Sequence, residues 1–234
     1  MGYDEASKIY HKGQTCFDNR EYEKAIEYFT EAHEESANIG NVLRYRGDAY
    51  RLLGKYDEAI KDINTFIRTT HPDGIKDSDY YIRGEAYRMK GQFDLAIADF
   101  DKAIKENAKY GIAHACRGIA YRNINQFDKA IEDLTKAIKL GYSNTFSLSQ
   151  RAESYRLKGS FAEAINDNTE AIKLDPNYAF AYGSRGAAYK GKGETEKAIA
   201  DLEKAITLNP NNSWAKKQLE EIKGIGSETG AVEE

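Results

Sequence analysis

Apolar and small residues along this chain recur at helical spacing, stop at a short polar break, and resume at helical spacing again. The stretch "YRGDAYRLLGKYDEAIKDI", residues 45–63, shows one such unit, with the break at "LGKYD". Nearly the same phrase returns from Tyr81, Cys116, Gln150 and Ser184, and a fainter copy starts at His11. Each copy predicts two helices joined by a tight turn. A phrase that serves one catalytic act occurs once; a phrase that must fit its own neighbours recurs.

The register is strict. Anchor glycines fall at Gly13, Gly47, Gly84, Gly118 and Gly186, with Ala152 at the fifth place, in steps of 34, 37, 34, 34 and 34 residues. A fixed period of this length predicts stacked repeats. Three residues after each anchor stands Cys16, Tyr50, Tyr87, Tyr121, Tyr155 or Tyr189. Twelve after it stands an alanine, from Ala25 to Ala198, followed by isoleucine in every copy. The break holds Gly54, Gly91, Gly159 and Gly193, with Asn125 at the same place, residue types that end helices in a left-handed conformation. Pro72, Pro176 and Pro210 fall between units, where a helix must stop.

Small anchor, tyrosine, break, aromatic, alanine and closing proline in this order resemble the tetratricopeptide repeat family, over about residues 6 to 212. The resemblance implies an all-α fold: a right-handed superhelical solenoid of six helix-turn-helix units, 6–39, 40–73, 77–110, 111–144, 145–178 and 179–212. Residues 213–223 read as a polar capping helix and 224–234 as a disordered tail. The first unit departs from the pattern at Cys16 and Arg20, the second at Phe66, the sixth at Thr195. The extra residues around "PDGIK", 72–76, predict one longer loop.

Two cationic ladders accompany the repeat. The first precedes the anchor, as Lys12, Arg46, Arg83, Arg117, Arg151 and Arg185. Asp62, Asp99, Asp133, Asp167 and Asp201 recur on the second helix, and the first unit lacks both the arginine and the aspartate. That joint departure predicts arginine–aspartate pairs, within or between units. The second ladder, four residues after the anchor, is Arg51, Arg88, Arg122, Arg156 and Lys190. By the resemblance it lies on the face that lines a concave groove. Asp48, Glu85 and Glu153 sit three residues before Arg51, Arg88 and Arg156, whereas Ile119 and Ala187 hold those places before Arg122 and Lys190. Arg122 and Lys190 are therefore the expected charged contacts of the groove, joined by Arg156. Ile119, Phe146 and Phe180 are the expected apolar contacts, in a half of the chain whose groove face is the more apolar.

Composition narrows the function class. The 234 residues carry 31% charged side chains and a net charge of -4, with pI about 5.7 and mean hydropathy of -0.72. An acidic chain argues against nucleic-acid binding. The longest apolar runs are too short to span a bilayer, and the first residues lack the apolar core of a signal peptide, so the expected location is cytoplasmic. Cys16 and Cys116 form no redox or metal spacing, and His11, His33, His71 and His114, all read as surface residues, fall in no ligand motif. No catalytic residue, metal site or cofactor is expected. Some family members clamp a C-terminal carboxylate with lysines, asparagines and an arginine. The corresponding places here hold Tyr10, Gln14, Tyr45, Ser78 and Ile82, so that clamp is not expected. The reading is a non-catalytic scaffold that binds a protein or peptide segment, acidic and with an apolar anchor. The alternative is self-assembly through the end helices.

Overall fold

The computed structural model describes the backbone of residues 2–36 and 41–229, all of it helix and connecting turns. Among the described residues thirteen α-helices follow in order: α1 (Gly2–Asp18), α2 (Tyr22–Glu35), α3 (Val42–Leu52), α4 (Tyr56–Thr69), α5 (Asp77–Met89), α6 (Phe93–Glu106) and α7 (Gly111–Asn123). Then come α8 (Phe127–Lys139), α9 (Asn144–Lys158), α10 (Phe161–Leu174), α11 (Ala179–Gly191), α12 (Thr195–Leu208) and α13 (Ser213–Thr229). The chain divides into two compact units, Met1–Ala120 and Tyr121–Glu234, with the division falling in the sequence of α7. In the first, α1 packs on α2, α3 on α4 and α5 on α6, and each pair packs on the next. In the second, α8 packs on α9, α9 on α10, α10 on α11, α11 on α12 and α12 on α13. The fold is an all-α helical repeat solenoid.

The anchor positions are small because two helices cross there. A methyl group added at Gly186 would stand 3.1 Å from the Ala198 carbonyl oxygen and 3.0 Å from Leu202. At Gly84 it would meet Phe100 at 3.0 Å. The residue facing each anchor lies sixteen positions on: Phe29, Ile63, Phe100, Leu134 and Leu202, all fully buried. The same register pairs Ala152 with Asn168, so a larger anchor accompanies a non-aromatic amide. Asn168→Leu restores the usual core residue against an anchor that carries an extra methyl. Overpacking of this kind costs about 1–3 kcal/mol. We expect Asn168→Leu alone to destabilise and Ala152→Gly to recover the loss in the double variant. Urea unfolding of the four chains measures it; a stabilised single variant would contradict the pairing.

Each first helix of a repeat ends in the same hydrogen-bonded turn. The residue after the break donates its N–H to the carbonyl five positions back, as Lys55 to Tyr50 (2.8 Å), Gln92 to Tyr87 (2.9 Å) and Glu194 to Tyr189 (3.0 Å). That closure needs a left-handed residue, supplied by Gly54, Gly91, Gly159, Gly193 and Asn125. In the first unit Arg20 takes the position at φ 63°, with the Glu21 N–H closing on Cys16 at 2.8 Å. An exposed arginine bears the Cβ clash that glycine escapes. Arg20→Gly is expected to raise stability by about 0.5–1 kcal/mol, read as a higher Tm.

The 37-residue step is a built feature. Pro72–Gly74 forms a 3-10 turn, and α5 starts at Asp77. The helix that begins at Ser213 runs on to Thr229, past the expected cap end at residue 223 and into the stretch read as tail; residues 230–234 lie outside the described residues.

Candidate functional site

The first ladder settles the question of within or between. Arg151 on α9 forks onto Asp167 of α10, Nε to Oδ2 at 2.7 Å and Nη2 to Oδ1 at 2.8 Å. Its remaining Nη1 reaches back to Thr135 Oγ1 on α8 at 2.9 Å. Arg46 repeats this with Asp62 and Thr30, Arg83 with Asp99 and Asn64, and Arg185 with Asp201 and Thr169. Arg117 Nη1 likewise reaches back to Asp101 at 2.5 Å. One guanidinium thus closes its own helix pair and ties it to the preceding one. The hydrogen bonds that Arg151 donates to Asp167 raise its pKa above the ordinary value, outweighing desolvation. Each of these arginines is committed to bonds between helices.

The second ladder is already partnered. Arg51 donates to Asp48 at 2.8 Å, and Arg88 forks onto Glu85 at 2.8 and 2.6 Å. In the second unit Arg122 donates to Gln150 Oε1 at 2.7 Å, and Arg156 forks onto Glu153 at 2.8 and 2.6 Å. Lys190 differs from its expectation. Its acid comes from the next helix, as Nζ donates to Glu221 Oε2 of α13 at 2.7 Å and to Gln218 Oε1 at 3.2 Å. That bond holds the Glu221 carboxyl below its ordinary pKa. Local spacing missed it because the partner is 31 residues on, in a helix outside the repeat.

The apolar candidates separate. Ile119 belongs to the first unit and is 6% exposed, so it offers little surface. Phe146 is half-buried at the start of α9. Phe180 is 41% exposed. The structure brings Phe180 together with three residues outside the expected set. A recess of about 210 Å³ on the side-by-side helices α9, α11 and α13 is lined by Glu153, Phe180, Ser184 and Trp214. Trp214 is 42% exposed and lies across Gly183, where a Cβ would stand 3.2 Å from its ring. The signal in the sequence was a lone tryptophan at the start of the cap and a glycine where other repeats carry larger side chains. Neither belongs to the recurrent phrase.

A polar line runs from this recess into the core. Ser184 donates to Glu153 Oε2 at 3.3 Å and accepts from Asn168 Nδ2 at 3.0 Å. Asn168 Nδ2 also donates to the Ala164 carbonyl at 3.1 Å, which fixes the orientation of the amide. Its Oδ1 is fully buried and has no hydrogen-bond partner.

Among the described residues no three His, Cys, Asp or Glu side chains gather as a metal site, and no helix is long and apolar enough to cross a membrane. His114, expected at the surface, is buried with its ring nitrogen 3.3 Å from the Ala108 carbonyl oxygen. Burial pushes the Cys116 thiol well above its ordinary range, and the nearby Glu85 charge adds to this.

Sequence models described as tetratricopeptide repeat match residues 10–73, 78–110, 117–140 and 179–212, and a TPR repeat model matches 152–193. No curated protein matches the chain. Among solved structures, the APC/C hetero-tetramer Cut9-Hcn1 aligns with 93% of the chain at TM-score 0.77 and 18% identity. The chain spans 42% of that relative's length. The C-terminal part of a TPR repeat-containing protein from Cytophaga hutchinsonii aligns with 91% of the chain and 84% of its own, at TM-score 0.72 and 24% identity. YrrB, described as a TPR protein with an unusual peptide-binding site, aligns with 90% of the chain and 89% of its own, at TM-score 0.50 and 18% identity. At these identities the likeness is one of fold. With the period, the left-handed turns and the matched segments on one chain, the protein belongs to the tetratricopeptide repeat family.

Proposed function

We propose that this protein is a non-catalytic interaction scaffold that binds a peptide segment on the α9–α11–α13 face of its second unit. The fold supports a protein-interaction role in general. The observation that carries the finer reading is the recess framed by two exposed aromatic rings, Phe180 and Trp214, over the polar groups Glu153 and Ser184. Exposed aromatics around a small recess are the anchors from which peptide affinity is built. The segment lays an apolar residue against Phe146, beside the recess, and an acidic stretch along Arg122 and Lys190, while Arg156 stays forked onto Glu153. Arg122 and Lys190 already donate to Gln150 and Glu221, so a peptide carboxylate exchanges partners and gains about 1 kcal/mol or less at each. Charge then sets orientation and encounter rate more than affinity.

Peptides selected by display on the intact chain test this. We expect them to lose at least about tenfold in affinity for the Phe180→Ala, Trp214→Ala double variant, the loss typical of hot-spot truncation, with Tm held. Peptides that bind both chains equally would place the site elsewhere.

A further inference from the structure

We infer that the recess between Phe180 and Trp214 takes the side chain of a lysine in the bound segment. This rests on the peptide-binding reading above and names the chemistry of one contact within it. The recess is small, about 210 Å³, below the size of drug-sized ligand sites and suited to a single side chain. Its polar lining offers oxygen acceptors. Glu153 is a carboxylate, and the buried Ser184 hydroxyl spends its own proton on Glu153 and one lone pair on Asn168, which leaves one lone pair over. Its apolar lining is two aromatic rings, whose faces attract a cation within about 6 Å of the ring centre. Acceptors and aromatic faces together select a group that is rich in donors and positively charged.

The existing hydrogen bonds decide which cation. Arg156 already occupies Glu153 with a fork, Nε to Oε2 and Nη2 to Oε1. A second planar fork, as arginine would bring, finds no vacant carboxylate edge. An ammonium needs only a single point of contact, the remaining lone pair of Glu153 Oε1, since Oε2 already accepts from both Arg156 and Ser184, and its alkyl stem lies against the aromatic lining. A purely apolar side chain would cover Glu153 Oε1 without supplying a further donor, which is costly. Beneath them Asn168, at a place where five other repeats carry Phe29, Ile63, Phe100, Leu134 and Leu202, holds Ser184 in position through its amide. The polarity of the recess is thus carried down into the core.

Trp214 is the chain's single tryptophan, so its fluorescence reports on this recess directly. Four pools of synthetic heptapeptides, random except for a fixed central lysine, arginine, norleucine or glutamate, are titrated against the intact protein. The lysine pool is expected to shift Trp214 emission at concentrations about tenfold below the norleucine and arginine pools, the factor that one hydrogen bond to the charged Glu153 supplies. In Glu153→Gln that preference should shrink below about threefold. Equal or better binding of the norleucine or arginine pool overturns the lysine assignment while leaving a peptide site in place. Absence of binding from every pool overturns both readings. The pool comparison uses the unmodified chain, so it decides the matter whether or not Glu153→Gln folds.

Discussion

Asp79→Ala is expected to cost about 3–5 kcal/mol of stability, the range for removing one partner of a buried ion pair. Asp79 has no exposed surface, and Arg44 is buried beside it. The guanidinium meets the carboxylate edge to edge through Nε and Nη2, the latter at 2.6 Å from Oδ2. Nη2 also donates to the Gly74 carbonyl at 3.0 Å and Nη1 to Asn41 at 3.2 Å, while the guanidinium lies 4.7 Å from the centre of the Phe66 ring. The Lys76 N–H donates to Asp79 Oδ2 at 2.7 Å and starts α5. One carboxylate therefore organises the inserted turn, the start of a helix and the burial of an arginine. Without it the guanidinium keeps its desolvation cost and loses its counter-charge. Replacing both residues, as Arg44→Met with Asp79→Leu, should cost much less than Asp79→Ala alone. Asp57→Ala serves as a control; that carboxylate pairs with Lys90 at the surface and should cost less than about 1 kcal/mol. Urea unfolding gives all three. A loss below about 1 kcal/mol in Asp79→Ala would show that the turn opens and rehydrates Arg44.

Arg151→Ala is the second large effect, at about 2–3 kcal/mol, discounted from the fully buried case because both side chains retain some exposure. The substitution strands the Asp167 carboxylate and frees Thr135 on the preceding helix pair. Thr135→Val alone removes only the backward bond and should cost about 0.5–1.5 kcal/mol. Because both effects act through one guanidinium, the double variant should fall short of their sum. Full additivity in a double-mutant cycle would mean that the arginine does not join neighbouring repeats.

How much of this was legible in the sequence depends on whether a feature repeats. The anchor glycines, the closing turns and the Arg46–Asp62 type of pair recur at a fixed spacing, so each copy supports the others. The sharing of each arginine with the preceding helix pair was left open, because spacing alone cannot say whether residues sixteen apart on either side both lie within reach. Asp79 was missed because it occurs once, in the first turn of α5, just after the three-residue insertion that shifts the period. Trp214 and Glu221 were missed as site residues because both stand on α13, which was read as a polar cap. His114 was read as a surface residue from its type, but the tight packing of α7 encloses it. The site is thus less legible than the fold: it is made where the last repeat meets a helix that is not one.

Amide hydrogen exchange of the intact protein, with and without a display-selected peptide, tests the central claim most directly. The peptide is expected to slow exchange along α9, α11 and the first turns of α13, the elements that carry Glu153, Phe180, Ser184 and Trp214. Protection confined to α10 and α12, with α9, α11 and α13 unchanged, would place the partner on the opposite helices and contradict the account.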